Sequence, residues 1–160
     1  MQPFTSHTGV AAPLLKDDIN TDQIAPVRHS RSLKEDYKTT LFYRARQRDD
    51  GSEDPDFVLN KPQFRSAGIL VTGHNFGAGS SRESAVWSMI ANDIRVIVAK
   101  SFADIYRENC LQNGLLPIVL SSGAKFSGFC TPLISWQAAH PSSTISLRPW
   151  AICCGVAASR

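Results

Sequence analysis

Residues 67–120 read AGILVTGHNFGAGSSRESAVWSMIANDIRVIVAKSFADIYRENCLQNGLLPIVL, and their hydrophobic pattern decides the fold class. Three short apolar runs have the length and β-branched content of buried strands: residues 67–73, 94–99 and 115–120. The stretches between them, about 81–92 and 101–113, predict helices, and Gly114 takes the position that commonly follows a helix end. Strands that alternate with helices at this spacing predict an α/β domain with parallel pairing.

Two more elements are predicted before this region. Residues 9–15 have the composition of a strand, and Pro13 would confine that strand to a sheet edge or a bulge because proline lacks an N–H group. Residues 32–47 carry apolar side chains near helical spacing, with Ser32 and Glu35 placed as a capping box. We therefore expect a first strand followed by one helix.

Composition bounds the class of protein. A chain of 160 residues with 42% hydrophobic residues can form one compact domain with its own core but is too short for two ordinary ones. The net charge is only +3 and the basic residues are scattered, which argues against nucleic acid and membrane surfaces as partners. No membrane-length apolar run is present, and residues 1–5 lack the features of a signal peptide. We expect a soluble cytoplasmic protein.

The last forty residues differ in character from the rest of the chain. All 14 acidic residues lie in 1–120, so the three basic residues of 121–160 account for the whole net charge. The segment 121–160 shows no sustained helical or strand period. We expect one domain in residues 1–120 and an atypical tail that is frame-shifted or disordered. Either a shifted reading frame or a lineage-specific replacement would produce such a sequence.

The four cysteines do not have the spacing of a metal site. Cys110, Cys130, Cys153 and Cys154 include no C-x-x-C pair and no typical zinc or iron–sulfur pattern. We expect no metal ligands in this chain and a buried, unreactive thiol at Cys110.

The segment GHNFGAGSSRE, residues 73–83, carries the chemistry. Its three glycines allow a sharp turn between a strand and a helix and a close approach of the backbone to a ligand. The N–H groups at the start of the following helix favour an anion. The glycine spacing matches neither the dinucleotide fingerprint nor the P-loop. The sequence therefore predicts an anion site that does not bind nucleotides in either usual way.

Two interpretations of this segment are open. Ser80 and Glu83 have the spacing of a capping box, which requires no function. Arg82, however, would place a cation in the first helical turn, where it opposes the helix dipole. A substrate carboxylate held by the planar guanidinium would explain Arg82.

The chain also resembles a known family in five blocks that occur in the family's order. These blocks are residues 20–24 (NTDQI), 55–60 (PDFVLN), 75–83 (NFGAGSSRE), 101–105 (SFADI) and 113–117 (NGLLP). The blocks are similar to the motifs of the 3-isopropylmalate dehydratase small subunits, within the aconitase superfamily. The resemblance covers roughly residues 4–120.

This resemblance implies a fold and a partner. The fold would be the swivelling β/β/α domain that forms the last domain of aconitase. The activity would be the hydro-lyase isomerisation of 2-isopropylmalate and 3-isopropylmalate, a step of leucine biosynthesis. A separate large subunit would hold a cysteine-bound [4Fe-4S] cluster, and the substrate would be a small dicarboxylate.

The resemblance also implies roles for individual residues. Ser80 would be the base that removes the proton next to a carboxylate, and Ser81 and Arg82 would bind the substrate carboxylate. Gly77 and Gly79 would support the loop that carries Ser80.

Residues of an earlier loop complete this site. Thr21 and Asp22 match the family's Thr-Asp pair and would brace the serine loop, although an Asx-type turn would explain them equally well. Arg28 and Arg31 could contact a second carboxylate or could be solvated surface residues. Arg28 is the candidate substrate contact of the two.

The chain departs from the family at two positions near the site and in its tail. The family usually has Cys at the position of Ala78 and His at the position of Ser84. A dehydratase for a related diacid, of the citraconate, dimethylmalate or homoaconitate type, is therefore the nearest alternative. A non-catalytic product with a damaged C-terminus is the alternative from another class, and a free-standing anion-binding module is the third.

Overall fold

The computed structural model describes residues 6–26, 37–79, 82–120, 133–137 and 146–147. The strands are β1 (Ser6–Leu14), β2 (Ala67–Thr72), β3 (Val96–Ala99), β4 (Leu116–Val119), β5 (Leu133–Gln137) and β6 (Ser146–Leu147). The helices are α1 (Thr21–Ile24), α2 (Tyr37–Thr40), α3 (Tyr43–Arg46), α4 (Glu83–Ala91) and α5 (Asp104–Gln112), with short 3-10 turns at Val58–Asn60 and Pro62–Phe64. None of the helices in the described ranges is long and apolar enough to cross a membrane.

The strands form one mixed sheet in the order β4-β3-β2-β1-β5-β6. β1 to β4 pair in parallel, as the alternation of strands and helices predicted. Leu70 in the middle of β2 lies beside Ala12 of β1 and Ile97 of β3. The crossovers through α4 and α5 confirm the strand–helix–strand pattern of residues 67–120.

The main core lies between this sheet and the helices. Leu70 and Ile97 are fully buried on one sheet face, in the same hydrophobic cluster as Val86 and Met89 of α4. Cys110 of α5 belongs to this cluster and is also fully buried. The prediction of a buried thiol at Cys110 is therefore confirmed.

The opposite sheet face forms a second, smaller cluster. Its buried members are all aliphatic: Ala11, Ile69, Val71, Val96 and Val98. Since neighbouring residues of a strand point to opposite faces, both faces of β2 and β3 are apolar, and this explains why their sequences are continuous hydrophobic runs.

Pro13 lies where the sequence predicted it could lie. β5 pairs with β1 only from Ser6 to Val10, so Pro13 faces Val71 of β2 on one side and no strand in the described part of the chain on the other. The register also shifts between Val10 and Ala11. Pro13 therefore occupies the half of β1 that is a sheet edge, next to a local irregularity.

The single helix predicted for residues 32–47 is wrong in its second half. Residues 37–47 contain two short helices, α2 and α3, separated at Phe42, whose φ of 51° is left-handed. Phe42 is buried, its ring lies 5.7 Å from that of Phe57, and its N–H group donates to the Ile24 carbonyl at 2.7 Å. Tertiary packing thus overrides the helical period. The proposed cap residues, Ser32 and Glu35, lie outside the described residues.

β5 and β6 lie in the segment for which the sequence predicted no strands. β5 adds to the sheet antiparallel to the first half of β1, with His7 opposite Trp136, and β6 pairs with β5. Because pairing with an open strand side satisfies backbone N–H and C=O groups, it does not need an alternating sequence. The domain boundary at residue 120 stays a prediction.

Candidate functional site

The glycine loop, residues 73–79, connects β2 to the segment before α4. Its backbone turns through left-handed conformations at Asn75 (φ 53°), Gly77 (φ 81°) and Gly79 (φ 95°). Glycine adopts such angles without the steric cost of a Cβ atom. The loop can therefore reverse direction within a few residues, as its sequence predicted.

One side of the glycine loop is bonded to the loop that follows β1. The His74 N–H group donates to Asp17 Oδ1 at 2.7 Å, and the His74 carbonyl accepts from the Asp18 N–H group at 2.9 Å. Asn75 Nδ2 donates to Asp18 Oδ1 at 2.8 Å. Both bonds of His74 are made by its backbone and not by its exposed side chain.

These bonds continue along the next residues. The Ile19 carbonyl accepts from the N–H groups of Gly77 at 2.8 Å and Ala78 at 3.2 Å. The Thr21 N–H group donates to the Ala78 carbonyl at 3.0 Å. Thr21 is 1% exposed, so the start of α1 is packed directly beside the glycine loop.

The other side of the loop is bonded to the segment before α5. Ser101 Oγ accepts from the Asn75 N–H group at 2.7 Å, and the Ser101 carbonyl accepts from the Phe76 N–H group at 3.0 Å. The Phe76 carbonyl accepts from the Ala103 N–H group at 3.0 Å. The loop is thus held between two backbone segments.

Tyr106 of α5 packs against the turn of the loop at Phe76 and Gly77. Its ring is 1% exposed and meets the ring of Phe76 edge-on at 5.6 Å. A Cβ atom at Gly77 would overlap the Tyr106 ring and lie 2.6 Å from Tyr106 Cβ. Gly77 is therefore required both for its backbone angle and for this close approach.

The turn predicted as an alternative at Thr21 and Asp22 belongs to Asn20. Asn20 Oδ1 accepts from the Gln23 N–H group at 2.8 Å, and Gln23 Oε1 accepts from the Asn20 N–H group at 3.0 Å. This capping box starts α1 and leaves the Asp22 side chain exposed. Asp22 is therefore free of the turn and available to another partner.

That partner is Arg82. The two N–H arms of the Arg82 guanidinium bond the two carboxylate oxygens of Asp22, Nη1 to Oδ1 and Nη2 to Oδ2, the second at 3.3 Å. The hydrogen bond from Arg82 lowers the pKa of Asp22, and the charge of Arg44 acts in the same direction. The Arg82 side chain is 27% exposed and that of Asp22 is 59% exposed, so the pair lies at the surface.

The helix that follows begins later than predicted. α4 starts at Glu83, and Arg82 is its N-cap with an extended backbone and no capping side-chain bond. A box with Ser80 as N-cap and Glu83 as the third helical residue does not fit this start. Arg82 likewise stands before the first turn and not in it, and Asp22 supplies its counter-charge from 60 residues away.

Several predicted site residues lie outside the described residues. They are Ser80, Ser81, Arg28 and Arg31. The structure brings together four of the others, Thr21, Asp22, Gly79 and Arg82: Gly79 follows the Ala78 carbonyl that Thr21 bonds, and a Cβ atom at Gly79 would lie 3.9 Å from Thr21 Oγ1. Both described neighbours of the Ser80–Ser81 pair are therefore placed beside α1.

The described residues do not offer a metal site. Within the part of the chain that the structure describes, no three His, Cys, Asp or Glu side chains are grouped to hold a metal ion. Burial raises the pKa of the Cys110 thiol to about 12, which opposes the thiolate form that a metal requires.

Comparison with known proteins places this arrangement in a family. Residues 1–123 match the family described as Aconitase C-terminal domain. The chain belongs to this family. The match spans β1 to β4 and both backbone segments that hold the glycine loop, and it confirms the predicted α/β fold class.

Two curated relatives of this chain carry the same name. The 3-isopropylmalate dehydratase small subunit of Mesorhizobium japonicum is 51% identical over 122 residues, which are 76% of this chain and 61% of the relative. The protein of that name from Lactococcus lactis subsp. cremoris is 48% identical over 120 residues, covering 74% of this chain and 63% of its own length. The chain therefore spans less than two thirds of the length of these relatives.

A solved structure has the same fold. The crystal structure of 3-isopropylmalate dehydratase from Methanocaldococcus jannaschii matches with a TM-score of 0.62 and 28% identity, covering 82% of this chain and 71% of that one. The β/β/α class of the aconitase C-terminal domain is thus supported by sequence and by structure. The described residues contain its sheet and its helical layer.

Three residues that shape the loop in this member of the aconitase C-terminal domain family were missed as site residues. They are Asn20, Ser101 and Tyr106. Asn20 could have been found from the capping-box spacing to Gln23. Ser101 and Tyr106 act on a loop about 25 to 30 positions earlier in the chain, and no local pattern marks such a contact.

Proposed function

We propose that this chain is the small subunit of a two-subunit hydro-lyase that isomerises 2-isopropylmalate and 3-isopropylmalate by removing and re-adding water. The observation that carries the proposal is a glycine loop, flanked by Arg82, in a chain 51% identical over 122 residues to a protein named 3-isopropylmalate dehydratase small subunit. Leucine biosynthesis and a cytoplasmic location follow from that assignment.

The reaction requires a base and a carboxylate anchor at this loop. In dehydration the C–H bond next to a carboxylate breaks, its electron pair forms the C=C bond, and the hydroxyl of the neighbouring carbon leaves as water after protonation. Rehydration in the other orientation gives the isomer. We assign removal of this proton to Ser80, which would act as an alkoxide base. An alkoxide requires a preorganised, water-poor site.

Arg82 is the anchor that the geometry supports best. Asp22 occupies one N–H of each guanidinium arm, so the Nε edge keeps a parallel pair of donors for a substrate carboxylate. Ser81 is proposed as a second donor to that carboxylate, and Arg28 as the contact to the other one. Thr21, Asp22, Gly77 and Gly79 hold the loop.

The proposed [4Fe-4S] cluster belongs to the large subunit. Within the described ranges Cys110 is buried and no set of ligands is grouped, which supports placing the cluster in the partner. Our proposal therefore assigns to this subunit the base and the carboxylate contacts alone. Purified without a partner, the chain is expected to be colourless and inactive.

A related diacid is the second candidate substrate. Ala78 is partly buried within the loop, and Ser84 lies in the first turn of α4, so both differences from the family's usual residues are near Arg82 in the sequence. Changed side chains there would alter which alkyl group is accepted while keeping the carboxylate contacts. Citraconate, dimethylmalate and homoaconitate are the compounds to compare.

The test is turnover in a reconstituted complex. The chain is co-purified with the large subunit of the Mesorhizobium japonicum enzyme, and formation of the unsaturated diacid from 3-isopropylmalate is followed by absorbance. A matched control joins residues 1–120 to the C-terminal part of the Mesorhizobium japonicum small subunit. Activity of either form supports the assignment. Activity of the control alone identifies the tail as the defect, and inactivity of both, beside an active authentic complex, contradicts the proposal.

A further inference from the structure

Tyr106 is among the largest fully buried side chains in the described part of the molecule. The side chain is 1% exposed, and within the described ranges the polar group that acts on its hydroxyl is the Cys110 thiol, a weak hydrogen-bonding group whose geometry falls outside that of an ordinary hydrogen bond. A buried hydroxyl with so weak a partner costs free energy, and a phenylalanine would pack the same ring without that cost. What the fold uses at this position is therefore the ring.

The ring lies directly beneath the turn of the glycine loop. Gly77 approaches it so closely that no side chain fits between them, and the preceding residue, Phe76, contacts it edge-on. Phe76 in turn meets the ring of Phe102 at 6.2 Å. The turn thus rests on an aromatic surface made by α5 and the segment before it.

The position of α5 is tied to the same loop. The Phe76 carbonyl accepts from the Ala103 N–H group, and α5 begins at the next residue. Moving α5 away from the loop would break this bond, because the residue before its first turn is bonded to the loop that the ring supports. The ring and the loop therefore pack as one unit.

We propose that Tyr106 is a positioning residue, whose ring fixes the path of Gly77 and Gly79 and thereby places Arg82 for the reaction. This inference rests on the proposed function for its catalytic consequence and on packing alone for its structural one. Replacement of the ring by a smaller side chain leaves a gap beneath Gly77 while the hydrogen bonds to Ile19 remain. Small displacements of a reacting group lower turnover by about a hundredfold for 1 Å.

The experiment compares three variants of the full chain. Tyr106→Phe keeps the ring, and Tyr106→Leu removes it. Phe57→Leu also replaces an aromatic ring by leucine in the same core, but next to Phe42 instead of the loop. If Tyr106→Leu does not fold, Tyr106→Met, which retains most of the volume without the flat ring, replaces it.

The first readout is hydrogen exchange in the chain without a partner, so it does not depend on activity. Tyr106→Leu is expected to speed exchange of the Gly77, Ala78 and Thr21 amides at least tenfold relative to the Ile69 to Val71 amides of β2. Tyr106→Phe should match the wild type, and Phe57→Leu should leave the ratio unchanged. An unchanged ratio in Tyr106→Leu overturns the proposal.

The second readout is kcat and KM in the reconstituted complex. Tyr106→Leu is expected to lower kcat at least tenfold with little change in KM. Tyr106→Phe is expected to keep the wild-type kcat. A kcat equal to that of Phe57→Leu overturns the positioning role. If the wild-type complex is inactive beside an active authentic complex, the proposed function fails, and hydrogen exchange still decides whether the Tyr106 ring fixes the loop.

Discussion

The glycine loop is supported in two different ways, one exposed and one buried. Beyond the C-terminal end of the loop, Arg82 is paired with Asp22 at the surface, where water and salt compete with the interaction. Beneath its turn Gly77 rests on the buried ring of Tyr106, where only shape matters. The surface pair can rearrange when a ligand arrives at modest cost, whereas the buried contact holds the loop in one place.

This difference would suit the proposed site, in which Ser80 is the base and Arg82 the carboxylate contact. A loop fixed by packing would keep its backbone geometry when a substrate binds. An arginine held by a solvated carboxylate is oriented in advance but can accept a second carboxylate without leaving a buried charge unpaired. The following tests separate the two supports, in order of expected effect.

Substitutions of Ser80 are expected to show the largest effect on turnover, because Ser80 is the proposed base. Ser80→Ala should lower turnover in the complex roughly a thousandfold, the scale of a lost general base. Ser80→Asp should be as inactive, since it sets a negative charge where a substrate carboxylate binds.

A purely structural role for Ser80 gives a different pattern. Both variants would then retain turnover, whatever they do to the melting temperature. Absorbance of the unsaturated diacid and a thermal melt for each variant distinguish the two, with the control ending described above. Near-wild-type turnover of Ser80→Ala would remove Ser80 from the mechanism.

Gly77→Ala tests the buried support. Forcing an alanine into the left-handed region costs about 1–2 kcal/mol, and the overlap with Tyr106 adds about 1–3 kcal/mol. Gly51→Ala is a matched control, because Gly51 has the same φ of 81° but nothing within 4 Å of a new Cβ atom. Urea unfolding should show a loss at Gly51 of about 1–2 kcal/mol and a clearly larger one at Gly77. Equal losses would mean that the Tyr106 contact contributes nothing.

Arg82→Lys tests the exposed support. Lysine keeps the positive charge but lacks the planar fork, so it cannot bond Asp22 and a substrate carboxylate side by side. Turnover is expected to fall about tenfold or more, which corresponds to about 1.4 kcal/mol, with the urea midpoint nearly unchanged. Arg65→Lys, at the pair with Glu53, is the control for a surface arginine without a proposed role. Unchanged turnover in Arg82→Lys would make Arg82 an ordinary surface residue.

The smallest expected effect is the pH dependence of the Asp22–Arg82 pair. Because Arg82 lowers the pKa of Asp22 in the folded chain, the pair stabilises the fold above the unfolded aspartate value near 3.8 and loses that contribution as pH falls through the folded value below it. Asp22→Asn should therefore cost under about 1 kcal/mol at pH 6 for so exposed a pair, and the difference from the wild type should shrink below pH 4.

Urea midpoints measured between pH 6 and pH 3 check this sign. Added salt should reduce the difference at pH 6, since an exposed pair is screened. A difference between Asp22→Asn and the wild type that grows as the pH falls would contradict the assignment of the pair.

How much the sequence predicts depends on whether the information is local. The strands and helices of residues 67–120 follow from periodicity and glycine positions, and they are confirmed. The helix through Phe42 is wrong because the buried contacts of Phe42 with Ile24 and Phe57 outweigh its helical neighbours. No pattern within a window of residues contains such contacts.

The site shows the same limit. The segment 73–83 was recognised from its glycines, but the partner of Arg82 lies 60 residues earlier in the chain. The helix-dipole argument places Arg82 in the first turn of α4, whereas Arg82 precedes that turn, and it does not indicate Asp22 as the partner. Gly77 was selected for its freedom of turn, whereas the structure gives it a second reason, the ring of Tyr106.

The bonds between the loops also determine when the site can form as the chain is made. The contacts of His74 and Asn75 with Asp17 and Asp18 span 57 residues. These contacts can therefore order the two loops only after both β1 and β2 have been synthesised. Tyr106 then has to be synthesised before the turn at Gly77 has its support. At about 5–20 residues per second, the ribosome leaves the emerging loop without that ring for a few seconds. During that interval Gly77 lacks the aromatic contact that supports its turn in the folded chain.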